Sequence, residues 1–86
     1  SMTRQNKIIK QILSGLSDKN IKFRDLCNVL EYLGFKVRIK GSHYIFYKEG
    51  IEEIINIQPK GTKAKGYQVK QIRDLILKYQ YGEHNE

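Results

Sequence analysis

The apolar residues in the first third of the chain recur every three or four positions. Over residues 7–16 they form one stripe, and Gly15 marks the end of this first predicted helix. The same spacing recurs over residues 23–33, and Gly34 follows as the left-handed residue that often ends a helix. The pattern therefore predicts two amphipathic helices in succession.

After Gly34 the period changes from helical to two. Residues 35–40 alternate apolar and basic side chains without a break, which is typical of a strand with one buried face and one cationic face. Residues 43–48 are rich in tyrosine, isoleucine and phenylalanine and predict a second strand, and residues 51–58 predict a third. Because the turns between them are so short, the three strands must form an antiparallel meander.

The last part of the chain adds a loop and a helix. Residues 59–66 contain three lysines and two glycines and predict a loop, residues 68–79 predict a helix, and residues 81–86 predict a polar tail. The predicted fold class is α+β in the order α-α-β-β-β-α. Its three-stranded antiparallel sheet needs cover on one face to form a core, and the helices supply that cover.

The composition fits one small globular domain rather than a membrane or disulfide-rich protein. The chain has 86 residues, of which 40% are hydrophobic and 29% charged, and its apolar runs are far shorter than the about 20 residues of a membrane-spanning helix. Cys27 is the only cysteine, so it has no partner for a disulfide or a zinc site and is expected to pack in the core. We expect a cytoplasmic protein that needs no metal or other cofactor.

The balance of charge predicts a polyanionic partner. Sixteen Lys and Arg residues against nine Asp and Glu residues give a net charge of +7, which favours nucleic acid over a membrane surface. If the apolar side chains of the first strand face the helices, Lys36, Arg38 and Lys40 face away from them. The other basic candidates for contacts with phosphates lie further along the chain: Lys48, Lys60, Lys63, Lys65 and Lys70. The alternative is a lysine-rich exterior that keeps a small domain in solution.

His43 is the candidate for chemistry on such a partner. It follows the Gly41-Ser42 turn and lies near the basic residues of the first strand. Histidine titrates near neutral pH, so it is suited to take a proton from a ribose 2′-hydroxyl or to give one to a leaving 5′-oxygen. The alternative is an ordinary surface histidine at a strand end.

Several of these segments together resemble the HicA family. The most specific is Gly41-Ser42-His43 between two strands, after a helix that ends in Leu33-Gly34-Phe35. Pro59-Lys60-Gly61 and the helix that includes Val69-Lys70-Gln71-Ile72 support the resemblance, which covers about residues 22–80. It divides the chain into a helical extension over residues 1–20, in which Ser1 looks like a cloning remnant, a HicA-like domain over 21–80 and a tail.

The resemblance implies a toxin of a type II toxin–antitoxin pair, with a fold similar to the double-stranded RNA-binding domain. HicA proteins are mRNA interferases, endoribonucleases that cleave mRNA until a HicB antitoxin covers the site. His43 corresponds to the catalytic histidine of the family, and Gly41 and Ser42 are then expected beside the bound phosphate. Glycine at position 41 suits a tight turn and a close approach to a phosphate.

The sequence departs from the family pattern in one loop. Many members carry a second histidine after the third strand, where this chain has Gln58-Pro59-Lys60-Gly61. Lys40, Lys60 and Tyr67 are the candidates for the second proton-transfer group. The competing function is an RNA-binding module that uses the same basic face without chemistry.

Overall fold

The computed structural model describes residues 3–79, so the predicted tail over residues 81–86 and the proposed remnant Ser1 lie outside the described part. Within these residues, three helices, a single 3₁₀ turn and five strands follow one another. They are α1 (Arg4–Ser14), the 3₁₀ turn (Asp18–Asn20), α2 (Phe23–Tyr32), β1 (Lys36–Lys40), β2 (His43–Tyr47), β3 (Ile55–Ile57), β4 (Pro59–Lys60), β5 (Lys63–Ala64) and α3 (Gly66–Tyr79). Over residues 3–79, none of the helices has the length and apolar character needed to cross a bilayer.

The predicted α+β fold class is confirmed. β1, β2 and β3 form an antiparallel sheet in the order β1-β2-β3, and the helices pack against one of its faces. The turn between β1 and β2 consists of Gly41 and Ser42, and it places Lys40 opposite His43 in the register. Gly41 has a φ of 62°, which glycine adopts without the steric cost of a Cβ.

The observed bounds of the helices are set by capping residues and not by the extent of the apolar stripe. The Thr3 side chain accepts a hydrogen bond from the Asn6 backbone N–H at 3.1 Å, so α1 begins at Arg4, three residues before the predicted start. The predicted ends near Gly15 and Gly34 are confirmed, since both glycines have positive φ, of 73° and 99°.

The third strand is shorter than predicted. Residues 51–54 are not part of the sheet, and β3 begins only at Ile55. Glu53 accepts hydrogen bonds from Lys78 Nζ at 2.6 Å and Tyr79 Oη at 2.7 Å. This segment is therefore held against α3 instead of continuing the pairing with β2.

The prediction of a loop over residues 59–66 is wrong in part, because β4 and β5 form a second hairpin there. The hairpin turns at Gly61, which has a φ of 62°. Phe23 N–H donates to the Thr62 carbonyl and Ala64 N–H donates to the Ile21 carbonyl, both at 2.9 Å. These bonds attach the hairpin to the start of α2, a long-range pairing that the local lysine- and glycine-rich composition does not reveal.

The core lies between the inner face of the sheet and all three helices. Ile9 and Ile12 of α1 are buried in it together with residues of α2, α3 and the sheet. Cys27 is buried there as well, which confirms its predicted packing role. Burial, together with the nearby charge of Glu31, raises the pKa of its thiol to about 12. The thiol is therefore protonated at neutral pH and is a poor nucleophile.

Candidate functional site

The outer face of the sheet carries the basic residues predicted from the alternation in the first strand. Lys36, Arg38 and Lys40 are exposed on β1, and His43 is exposed at the start of β2. The register pairs Lys40 with His43, and side chains of directly paired residues lie on the same face. The imidazole is therefore open to solvent at the edge of a cationic surface.

Two amide side chains contact the imidazole of His43. Nδ1 lies 3.1 Å from Oδ1 of Asn56, and Nε2 lies 2.7 Å from Nε2 of Gln58. The same Gln58 nitrogen is 3.2 Å from His43 Nδ1. The ring is thus held in place across the outer face by groups from β3 and from the residue that follows it.

Gln58 also links the histidine to a lysine. Its Oε1 accepts a hydrogen bond of 3.5 Å from Nζ of Lys65, at the long end of the hydrogen-bonding range. Lys65 immediately precedes α3, and its backbone N–H donates to the side chain of the buried Gln68 at 3.3 Å. The start of α3 therefore positions the Lys65 ammonium near the imidazole, with only the Gln58 side chain between them.

Lys65 borders a basic groove of about 800 Å³ between the 3₁₀ turn, the second hairpin and the start of α3. Four of the residues that line this groove are lysines, and Tyr67 is exposed at its side. The lining residues are Lys19, Lys60, Lys63, Ala64, Lys65, Gly66 and Tyr67. The predicted residues Lys60, Lys63 and Lys65 thus share one groove, and Lys19 joins them although the sequence analysis did not single it out.

Two predicted phosphate contacts lie elsewhere. Lys48 donates from Nζ to the Leu33 carbonyl at 2.7 Å and lies 5.8 Å from the ring centroid of Phe35, so it caps the C-terminal end of α2. Lys70 pairs with Asp74 one turn along α3 at 3.0 Å. Contact of these two residues with phosphates stays a prediction, and neither of them lines the basic groove.

Asn56 and Gln58 were missed by the sequence analysis, although the register contains the signal. Tyr44 pairs with Ile57, so the next position of the same register places His43 opposite Gln58. Asn56 then lies diagonally from His43 on the same face. The residue opposite His43 depends on the length of the connection between β2 and β3, and the pattern of the third strand did not reveal that length.

The three candidates for a second proton-transfer group are distributed around the site. Lys40 lies opposite His43 on the sheet, whereas Lys60 and Tyr67 lie in the basic groove. The described residues also offer no candidate metal site. Among residues 3–79, the side chains of His, Cys, Asp and Glu form no group of three or more that could hold a metal ion.

Comparison with known proteins supports one family. The family model described as HicA toxin of bacterial toxin-antitoxin matches residues 23–79, which is most of the chain. No similar curated protein and no similar solved structure was found. The match begins at the first residue of α2, so α1 precedes it. This chain belongs to the HicA toxin family of bacterial toxin–antitoxin systems, a membership that implies a cognate antitoxin as its partner.

Proposed function

We propose that this toxin is an endoribonuclease that cleaves mRNA with His43 as a proton-transfer group. The observation that carries the proposal is the position of His43, exposed on the outer face of the sheet opposite Lys40 and connected through Gln58 to Lys65. A titratable ring open to substrate and flanked by cations has the properties that phosphodiester cleavage requires.

The proposed reaction is an attack by a ribose 2′-oxygen on its own phosphate. A bond forms between the 2′-oxygen and phosphorus while the bond from phosphorus to the 5′-oxygen breaks. His43 takes the proton of the 2′-hydroxyl as a base or gives a proton to the leaving 5′-oxygen as an acid. Lys40, Lys60 and Tyr67 are the candidates for the complementary transfer. The products are a 2′,3′-cyclic phosphate and a free 5′-hydroxyl, and the reaction needs no metal.

The RNA backbone is proposed to run from the basic sheet face into the basic groove. Lys36, Arg38 and Lys40 would bind phosphates on one side of His43, and the groove lysines would bind them on the other side. Gly41 and Ser42 form the turn beside His43, where Gly41 leaves open space around its Cα. Tyr67 is 65% exposed and offers its ring for stacking with a base.

The proposed antitoxin is a HicB-like protein that covers His43 and the cationic surface around it. Such cover would block the RNA path without any change in the fold of the toxin. Since translation takes place in the cytoplasm, we place the action of the toxin there.

Substitution of His43 tests the proposed chemistry. We expect His43→Ala to lower cleavage of a single-stranded RNA by about 10²- to 10⁴-fold, the usual contribution of a general acid or base. RNA affinity should change little, because lysines and Arg38 supply the contacts with phosphates. His84→Ala is the matched control, since His84 is the other histidine of the chain.

The products and the metal requirement test the same proposal independently. Wild-type cleavage should leave cyclic phosphate and 5′-hydroxyl ends and should persist in EDTA. Ends that carry a 5′-phosphate, or loss of cleavage in EDTA, would contradict this mechanism. Equal affinity of wild type and His43→Ala for RNA, with turnover in neither, would support the RNA-binding module instead.

A further inference from the structure

The outer face of the sheet carries apolar side chains beside its cations. His43 and Tyr47 are the first and last residues of β2, so the alternation of strand side chains places both of them on this face, with Ile45 between them. Tyr47 is 40% exposed and Ile45 is half-buried. Ile54, which is 64% exposed, takes the next position of the register, opposite Tyr47. We call Ile45, Tyr47 and Ile54 the outer apolar patch.

The two tyrosines of β2 have different surroundings. The ring of Tyr44 packs edge-on against the ring of Phe23 on the inner face of the sheet, with the two centroids 4.9 Å apart. Tyr47 lies three residues further along the strand and therefore on the opposite face. Tyr44 thus belongs to the packing of the fold, whereas the ring of Tyr47 is open to a partner.

Each outer residue of β2 has a cation directly opposite on β1. The pairs are Tyr47 and Lys36, Ile45 and Arg38, and His43 and Lys40. Because residues two apart on a strand are separated by about 7 Å, the cations repeat regularly along one row beside the row of β2. A single nucleic acid strand offers the complementary combination, since its backbone is a row of anions and its bases are flat rings that stack on aromatic side chains. This complementarity favours single-stranded nucleic acid as the occupant of the outer apolar patch.

We propose that the ring of Tyr47 stacks with a base of single-stranded RNA about two nucleotides from the bond that His43 cleaves. The position relative to that bond rests on the proposed function, whereas the stacking contact itself requires only binding. At about 3.3 Å per residue, β2 separates His43 from Tyr47 by about 13 Å. A nucleotide of an extended strand spans about two of the 3.4 Å steps between stacked nucleotides, so this distance corresponds to about two nucleotides.

The structure leaves space beside the ring. Tyr47 and Lys36 line a groove of about 360 Å³ together with Gly34, Lys48 and Glu49. The ammonium of Lys48 is bonded to the end of α2, and the carboxylate of Glu49 repels a phosphate. Within this groove, a phosphate is therefore expected at Lys36 and the base at the ring of Tyr47.

Stacking of this kind selects unpaired RNA. In a duplex, both faces of a base are covered by its neighbours, so no face is free for the ring of Tyr47. The cations of β1 contact phosphates in either form of RNA. Tyr47 is thus proposed to add a preference for single strands to a surface whose charges bind any RNA.

Binding measurements test the contact without cleavage. In a His43→Ala background, which leaves the RNA intact, Tyr47→Ala should weaken the affinity for a fluorescent single-stranded RNA about five- to thirtyfold, the usual cost of losing one stacked base. Tyr47→Phe keeps the flat ring and should bind within about twofold of the parent. Tyr32→Ala is the matched control, since Tyr32 is 51% exposed but lies on α2. Circular dichroism checks that each variant is folded.

RNAs that lack one base at a time locate the contact. An abasic nucleotide removes the flat ring and keeps the phosphate. Loss of the base about two nucleotides from the bond cleaved by the wild type should weaken binding about as much as Tyr47→Ala does. In the Tyr47→Ala protein, the same abasic RNA should bind no more weakly than the complete RNA. Affinity for a duplex of the same sequence should not respond to Tyr47→Ala.

The outcomes separate this inference from the proposed function. Unchanged single-strand affinity in Tyr47→Ala, an equal loss for the duplex, or additive losses with every abasic RNA would overturn the stacking contact and leave the patch to a protein partner. Coupling only at a base next to the cleaved bond, or only at one farther away than β2 is long, would overturn the position. Tyr47-dependent binding by a wild-type protein that cleaves no RNA would instead contradict the proposed function and support the stacking contact.

Discussion

The carboxylate of Glu53 is held by two side chains of α3. Lys78 Nζ donates to one oxygen at 2.6 Å and Tyr79 Oη donates to the other at 2.7 Å. The hydrogen bond from Lys78, followed by that from Tyr79, lowers the pKa of Glu53 from its ordinary 4.5 to about 2. The same contact raises the pKa of Lys78. These bonds require an ionised carboxylate, so they link the stability of the fold to pH.

We expect Glu53→Gln to lower the free energy of unfolding above pH 5 and to have little effect near pH 2. Because the pKa is lower in the folded than in the unfolded protein, the contribution of Glu53 is fully present above about 4.5 and disappears as pH falls toward 2. Urea unfolding of wild type and variant between pH 2 and pH 7 measures the difference. Glu52→Gln, at an exposed neighbouring carboxylate, should show no such pH-dependent gap. A gap of equal size at pH 2 and pH 7 would contradict this account.

The residues around His43 show what a sequence does and does not reveal at this scale. His43 was identified because its chemistry suits proton transfer and because Gly41-Ser42-His43 resembles the HicA family, and its exposure is consistent with that prediction. Gln58 and Asn56 have no such distinctive chemistry, and their importance follows only from the register that brings them beside the ring. A role that depends on pairing across strands is invisible until the pairing is known.

At the scale of elements, the helices and strands that depend on local patterns were predicted, whereas features that depend on long-range contacts were not. Alternation and helical spacing, together with the stops at Gly15 and Gly34, gave the three helices and the meander. The hairpin of β4 and β5 was not predicted, because the hydrogen bonds that hold it come from Ile21 and Phe23, which are distant in sequence. The late start of the third strand at Ile55 was not predicted either, because the preceding Glu53 is bound by Lys78 and Tyr79 of α3, which are distant in sequence.

Helix α1 is fastened to the rest of the fold although it precedes the segment that matches the family. Ile12 is completely buried, and Arg73 of α3 donates to its carbonyl at 3.1 Å. The same guanidinium forms two bonds to Asp18, of 2.9 and 3.1 Å. We therefore regard α1 as part of the folding unit.

Truncation of Ile12 tests that role. Ile12→Ala should lower the free energy of unfolding by about 2–5 kcal/mol, the usual cost of emptying a fully buried aliphatic site. Leu16→Ala is the matched control, since Leu16 follows the same helix but is 88% exposed, and it should change stability by less than about 0.5 kcal/mol. Urea unfolding followed by circular dichroism measures both. Equal and small losses would show that α1 is dispensable for the core.

At the scale of the whole molecule, the net charge of +7 is less informative than its distribution. Lys48 and Lys70 contribute to that charge but are engaged with the end of α2 and with Asp74. The lysines of the basic groove are instead gathered beside the link from Lys65 to His43. If the RNA follows the proposed path, the position of a positive charge must matter more than its sign alone.

Two charge-matched double variants separate position from net charge. Lys60→Gln with Lys63→Gln removes two positive charges from the basic groove, and Lys7→Gln with Lys10→Gln removes two from the exposed side of α1. We expect the groove variant to bind RNA more weakly and to lose about 0.7 from the slope of log affinity against log salt for each contact removed. The α1 variant should keep nearly the wild-type slope. Titration of a fluorescent single-stranded RNA at several salt concentrations, after circular dichroism has shown both variants folded, gives the slopes. Equal losses in the two variants would mean that the RNA responds only to total charge, and the groove would no longer be part of its path.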